Sequence, residues 1–325
     1  MEVLSKDTAQ KTMNKLGAAG EAFLSVISYR QEQNYVIPLS ALNPDLCKMH
    51  FPGMPENISS KENSGFQFDF TAPGFETYQK VFNQVMKHIR RGDTYLCNLT
   101  FETPVRTNMS GESIFHAAIS PYKLWLKDRL VCFSPECFVR ISGNRITTYP
   151  MKGTIDADIP GAADLLLSDT KEQAEHYTIT DLLRNDLSMI SSDVEVSRYR
   201  YVESIQTSRN RLLQTSTEIT GYLSDGWQHG CGDILFTLLP AGSVTGAPKK
   251  KTREITDKLE SHDRGFYTGV CVYFDGRNLD SFVMIRMITE RGGKMYYKSG
   301  GGITSFSEAR KEYEEMIQKI YVPVH

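Results

Sequence analysis

The stretch Pro150-Met151-Lys152-Gly153-Thr154 fixes a lysine between a proline and a Gly-Thr pair, and Glu136 of Ser134-Pro135-Glu136 precedes it by sixteen residues. An amine and a carboxylic acid could serve as nucleophile and proton donor. Lysine is a strong nucleophile only when deprotonated, so such a site must desolvate it or crowd it with positive charge. Taken alone, the same five residues equally describe a surface lysine at a strand end. Two carboxylate pairs stand further on, Glu172 with Glu175 and Glu312 with Glu315. Each is spaced i, i+3, which puts both acids on one helix face, and Lys319 shares the face of Glu315. Two such helices facing each other would cage a hard divalent cation. Mg²⁺ suits this, because it takes one or two carboxylates, keeps several waters and leaves room for a substrate oxygen. The same spacing is also common on solvated helices.

Three further stretches carry polar chemistry. Pro240 to Lys249 reads as a tight loop feeding a helix, with Gly242 and Gly246 allowing close backbone approach and Ser243 between them. It lacks the spacing of a nucleotide-binding P-loop. Gly300-Gly301-Gly302 could aim backbone N–H groups at a carboxylate. Arg286 sits in an otherwise apolar run and calls for a carboxylate partner, either from the protein or from a substrate.

These residues need elements to position them. A helix is expected from Lys11 to Ala22. Another runs from Phe75, with Tyr78, Phe82, Val85, Met86 and Ile89 on one face and a stop at Gly92. Strands are expected at 94–102, 123–126, 130–133, 137–142 and 145–149, with Ser142-Gly143-Asn144 turning a hairpin. The run 22–29 is rich in strand formers, and 65–70 alternates. A helix capped by Asp169 spans Thr170 to Ser188. Strands follow at 192–197, 199–206 and 211–221, then helices near 232–237 and after Pro248. Strands at 266–274, 279–290 and 294–298 precede a last helix, capped by Ser307, reaching Ile320. Hairpin-connected strands with interspersed helices indicate an α+β fold with antiparallel sheets rather than a doubly wound parallel sheet.

The bulk properties exclude several classes. A chain of 325 residues with formal charge −2 and no basic tract gives no reason to expect nucleic acid. Six cysteines without a CxxC pair disfavour zinc and disulfides. No apolar run approaches membrane-spanning length and no signal-peptide core is present, so a cytoplasmic protein without a membrane is expected.

The blocks, taken in order, resemble the chorismate-utilising enzymes: the large subunits of anthranilate synthase and aminodeoxychorismate synthase, with isochorismate and salicylate synthases as relatives. The resemblance covers roughly 70–322. It runs through GDTYLCNLT (92–100), SPECF (134–138), PMKGT (150–154), KEQAEH (171–176), DLLRNDL (181–187), PAGSVTGAPK (240–249), RGFYTGV (264–270), IRM (285–287), GGGI (300–303) and EYEEMIQK (312–319). It implies an α/β sandwich, two layered antiparallel sheets with surrounding helices in one domain. Residues 1–69 would be a short N-terminal segment packing on a chorismate-binding catalytic domain, 70–325.

By position, the resemblance implies that Glu136 is the general acid protonating the departing C4 hydroxyl. Glu172, Glu175, Glu312 and Glu315 would hold Mg²⁺. Tyr267, Arg286 and the backbone of Gly300, Gly301 and Gly302 would bind substrate carboxylates, Lys319 would stand near the metal, and Thr154 would line the ring pocket. Gln214 and Ser243 complete the substrate-binding set. Two positions sort the reaction. Relatives that add water carry a lysine base where this chain has Leu96, which accepts no proton. At Lys152, anthranilate synthases carry alanine and aminodeoxychorismate synthases lysine, proposed to form a covalent intermediate. The implied activity is that of aminodeoxychorismate synthase component I, feeding 4-aminobenzoate and folate synthesis. Anthranilate synthase component I and a non-catalytic chorismate binder are the alternatives. Leu96 replaces the glutamine usual in both aminating branches, and Gln214 stands where relatives usually have histidine. A shorter N-terminal region implies a reduced tryptophan site. Ammonia would come from a separate glutamine amidotransferase subunit, and pyruvate elimination would belong to a separate pyridoxal-phosphate lyase.

Overall fold

The structure, a computed structural model, describes residues 1–55, 65–206 and 211–324. Helix α1 (Lys6–Ala18) starts where the Ser5 hydroxyl accepts from the Thr8 N–H, earlier than expected, and it ends before Ala22. Strands β1 (Phe23–Ile27), β2 (Asn34–Pro38), β3 (Cys47–His50) and β4 (Phe68–Phe70) follow. All five β1 residues are buried, which is why that run shows no polar alternation. Helix α2 (Phe75–Arg90) forms as expected and buries Tyr78, Phe82, Val85, Met86 and Ile89. Each such side chain contributes about 1.5–3 kcal/mol on burial. Strand β5 (Leu96–Thr107) runs past the expected end at Glu102, and α3 (Gly111–Ala117), capped by Ser110, was not anticipated.

Strands β6 (Tyr122–Leu126), β7 (Leu130–Ser134), β8 (Cys137–Ser142) and β9 (Arg145–Thr148) match expectation, and β10 (Met151–Asp156) and α4 (Ala162–Ser168) add to it. Helix α5 (Thr170–Ser188) has the expected cap, the Asp169 carboxylate accepting from the Glu172 N–H. One bulged strand, β11 (Ser192–Gln206), stands where two were expected, paired to β12 (Arg211–Tyr222). After α6 (Cys231–Leu238) come β13 (Gly246–Ala247), α7 (Lys249–Leu259), β14 (Val270–Phe274), β15 (Leu279–Val283), β16 (Met287–Arg291), β17 (Lys294–Ile303) and α8 (Ala309–Gln318). The expected strand 279–290 is broken at Met284–Arg286, where Arg286 takes a positive φ of 53°. Ser307 does not cap α8. Its hydroxyl accepts from the Thr304 N–H, and Glu308 takes the N-cap position.

The chain sorts into two units, each around one antiparallel sheet. The first takes Met1–Ala41, Glu136–Ser243 and Val270–Val283. Its nine strands run β10-β12-β9-β8-β15-β14-β1-β2, with β11 also on β12. The second takes Leu42–Pro135, Val244–Gly269 and Met284–His325, with strand order β13-β5-β17-β16-β7-β6-β3 and β4 on β5. In it, α2 packs Tyr78, Phe82, Val85, Met86 and Ile89 with Leu99 and Phe101 of β5 and Met316 of α8. The break at 284–286 is therefore where the chain leaves one sheet for the other. Among the described residues no helix is long and apolar enough to cross a membrane.

Candidate active site

Lys152 lies on β10, whose register β12 sets: Lys152 opposes Thr215 and Thr154 opposes Gln214, with a bulge between. Gly153 forms that bulge at φ +72°, and a side chain there would press on Leu166 of α4 and Glu172 of α5. The strand is thus drawn close to the acidic helix, and only glycine permits both the conformation and the approach. The Thr215 hydroxyl donates to the Lys152 carbonyl. Lys152 Nζ stands 3.3 Å from Glu175 Oε2 and Lys171 Nζ stands 3.6 Å from Glu175 Oε1. Lys152 is therefore no free surface lysine: its ammonium is half-buried against a carboxylate whose own side chain is 8% exposed.

Glu172 and Glu175 come together on α5 as expected. Burial first, and then the charge of Glu175, hold the Glu172 carboxyl above its ordinary value. Glu175 Oε1 is buried and accepts no hydrogen bond. Crowded, under-satisfied carboxylates of this kind fit a hard divalent cation. His176, the next residue, received no role from the sequence. It is fully buried, with Nε2 2.6 Å from the Thr217 hydroxyl and Nδ1 3.5 Å from that of Thr215. Burial, reinforced by Arg200 and Lys152, pushes its pKa down to about 4, so the ring is neutral at neutral pH. Neutral His176 clasps α5 to the β12 threonine that in turn holds Lys152. Its only sequence signal is its place beside Glu175.

Glu136 immediately precedes β8, and its backbone carbonyl accepts from the Val283 N–H at 3.0 Å. The Ser243 hydroxyl donates to Glu136 Oε1, which brings together two residues 107 positions apart. Thr154 is exposed and Gln214 half-buried on neighbouring strands, and neither makes a side-chain contact with Lys152 among the hydrogen bonds and ion pairs of the described residues.

The second unit holds the other expected residues. Gly300, Gly301 and Gly302 form no loop: they are strand residues of β17, opposite Thr100, Leu99 and Asn98 of β5. A side chain on Gly300 would collide with the β5 backbone at Leu99 and Thr100. Strand β16 pairs β17 only as far as Lys298. Lys319 Nζ donates to the Gly300 carbonyl at 3.1 Å and pairs with Glu315 Oε1 at 2.6 Å. A methyl group at Gly301 would reach Glu312 Oε2 and Lys319 Nζ at 3.7 Å and Glu315 Oε1 at 3.9 Å. The missing side chain thus leaves space beside the acid pair, in which Glu312 is buried. Among the described residues, no group of three or more acidic, histidine or cysteine side chains gathers as a metal site.

Tyr267 is buried in the turn after α7, its N–H donating to the Arg264 carbonyl at 2.9 Å. Arg264 braces that turn. It donates to Glu260 through two nitrogens (2.8 and 2.7 Å), to the Asn98 and Val244 carbonyls and to the Thr268 hydroxyl. The sequence reading gave Arg264 no role, although its i, i+4 spacing from Glu260 was legible. Arg286 has no carboxylate partner among the described residues, and its Nε is buried without a hydrogen bond. Burial opposes its charge, and the phenols of Tyr321, Tyr297 and Tyr267 outweigh that, so its pKa is raised. Leu96, at the start of β5, is buried and supplies no polar group.

The signature of the chorismate binding enzyme family matches residues 21–325. A Haemophilus influenzae protein described as an uncharacterized PabA-like protein is 45% identical over 97% of this chain and 98% of its own length. Aminodeoxychorismate synthase component 1 of Bacillus subtilis is 29% identical, over 83% of this chain and 59% of its own. The crystal structure of anthranilate synthase component I from Streptococcus pneumoniae superposes with a TM-score of 0.67 at 27% identity, over 78% of this chain and 58% of that one.

Proposed function

This chain belongs to the chorismate binding enzyme family, and on that premise we propose that it replaces the C4 hydroxyl of chorismate with an amino group, as aminodeoxychorismate synthase component I. The observation that carries this reading is Lys152 held by β10 beside the buried Glu175 of α5. In the proposed first step the neutral amine of Lys152 bonds to C2, the ring diene shifts, and the C4–O bond breaks. Glu136, its carboxyl bonded by Ser243, gives its proton to the departing hydroxyl, which leaves as water. In the second step ammonia bonds to C4, the diene shifts back, and the C2–Nζ bond breaks, returning lysine. One hard displacement is thereby split into two easier ones. The enolpyruvyl group stays in place throughout.

Arg286 and Tyr267 would hold a substrate carboxylate, and their surroundings support that role, since the guanidinium lacks a protein carboxylate. Glu172 with Glu175 and Glu312 with Glu315 would hold Mg²⁺, which when bound would neutralise and orient the ring carboxylate. Ammonia would arrive from a glutamine amidotransferase subunit or as free ammonium. Anthranilate synthesis is the competing reading, favoured by the structural likeness to anthranilate synthase component I. Incubation with chorismate, ammonium and Mg²⁺ followed by mass identification separates the two. Aminodeoxychorismate supports the proposal, and anthranilate as sole product contradicts it.

A further inference from the structure

The segment after α8 leaves the helix and packs on the second unit. Ile320 and Val322 are buried in the cluster formed by Ile114, Trp125, Phe133, Ile288 and Tyr297. The Tyr297 hydroxyl donates to the Tyr321 carbonyl at 3.0 Å, and the Ile119 N–H donates to the Pro323 carbonyl at 2.7 Å. With the residues on both sides buried and its carbonyl bonded, Tyr321 is held in place. It meets Arg286. The guanidinium carbon lies 5.6 Å from the Tyr321 ring centroid.

That contact has a chemical consequence. A guanidinium has only donors and offers a neighbouring phenol no acceptor. The Tyr321 O–H therefore has its donor left for another group. Arg286 is meanwhile short of partners, with an unbonded Nε and a left-handed backbone that a non-glycine residue adopts at a cost of about 1–3 kcal/mol. A strained, charged residue with spare donors beside a fixed hydroxyl is a receptor for an anion with paired oxygens.

Resting on the reading that Arg286 takes a carboxylate of chorismate, we propose that Tyr321 is a second donor to that same carboxylate and sets how tightly this chain binds its substrate. The hydroxyl touches an unreacting part of the substrate, so its contribution is the same in ground and transition states. Its removal therefore raises KM and leaves kcat in place.

The test is Tyr321→Phe, which keeps the ring over Arg286 and the buried backbone and removes only the donor. Chorismate binding is measured at equilibrium by calorimetry with Mg²⁺ present, alongside steady-state kinetics and a thermal melt. The expected result is about a tenfold rise in Kd and KM, the scale of one hydrogen bond to a charged group, with kcat and the melting midpoint unchanged. Wild-type affinity in the variant overturns the proposal while leaving the functional reading intact. A fall in kcat with Kd unchanged also overturns it, as it puts the hydroxyl in the chemistry instead. Failure of the wild-type protein to bind chorismate overturns both. A second variant, Tyr321→Leu, is expected to weaken binding at least as much, and affinity equal to wild type in it counts equally against the proposal.

Discussion

The two units solve opposite electrostatic problems. In the first, Lys152 faces the buried Glu175 carboxylate at 3.3 Å, so positive charge is matched by protein. In the second, Arg286 has phenols beside it and no carboxylate partner among the described residues. An ammonium beside a carboxylate must first pass that acid a proton before the amine can form a bond. A guanidinium without a counter-ion is suited to holding an anion that comes from outside. On the proposed function, the first unit would carry the reaction and the second the recognition.

Substitutions can break that division. Lys152→Ala removes the nucleophile and is expected to abolish C4 amination, by at least about a thousandfold in kcat for a covalent step. Chromatography of the reaction against an aminodeoxychorismate standard checks it. Glu136→Gln keeps the shape and the Ser243 contact but cannot give a proton, so kcat should fall by roughly 10²–10⁴ with little change in KM. If either change raised KM alone, the first unit would be a binding surface.

Arg286→Met tests the second unit from the other side. It is expected to raise KM roughly 10- to 100-fold, the scale of one or two charged hydrogen bonds, with kcat nearly unchanged in a steady-state titration of chorismate. A collapse of kcat would erase the distinction between the units. The smallest effect concerns stability. Burial lowers the pKa of His262, whose Nε2 lies 3.2 Å from the Thr100 hydroxyl. A base with a depressed folded pKa binds fewer protons folded than unfolded, so its contribution is lost as pH falls below about 6.5. His262→Gln should therefore flatten the fall in melting midpoint between neutral and mildly acidic pH.

How much of this was legible in the sequence depends on whether a residue's partner is local. Helices α2 and α5 could be read outright, because the buried face of α2 repeats at helical spacing and the Asp169 cap is a contact across three residues. The family blocks brought Lys152 and the acid pairs forward. The break at Arg286 could not be read, since apolar residues continue through it and only the change of sheet interrupts them. The triple glycine reads as a loop in isolation. It is strand because it pairs with β5, which at Gly300 passes too close for a side chain, a fact about a segment two hundred residues earlier. His176 and Tyr321 were passed over for the same reason. Their meaning lies in Thr215 and Arg286, and nothing in their own neighbourhood announces either contact.

The central claim is that Lys152 forms a bond to the substrate. Protein incubated with chorismate and Mg²⁺ in the absence of ammonium, then digested and mapped by mass spectrometry, tests it directly. The account predicts a peptide containing Lys152 heavier by chorismate less water, discharged on adding ammonium and absent from Lys152→Ala. C4 amination proceeding while that peptide stays unmodified throughout would contradict it.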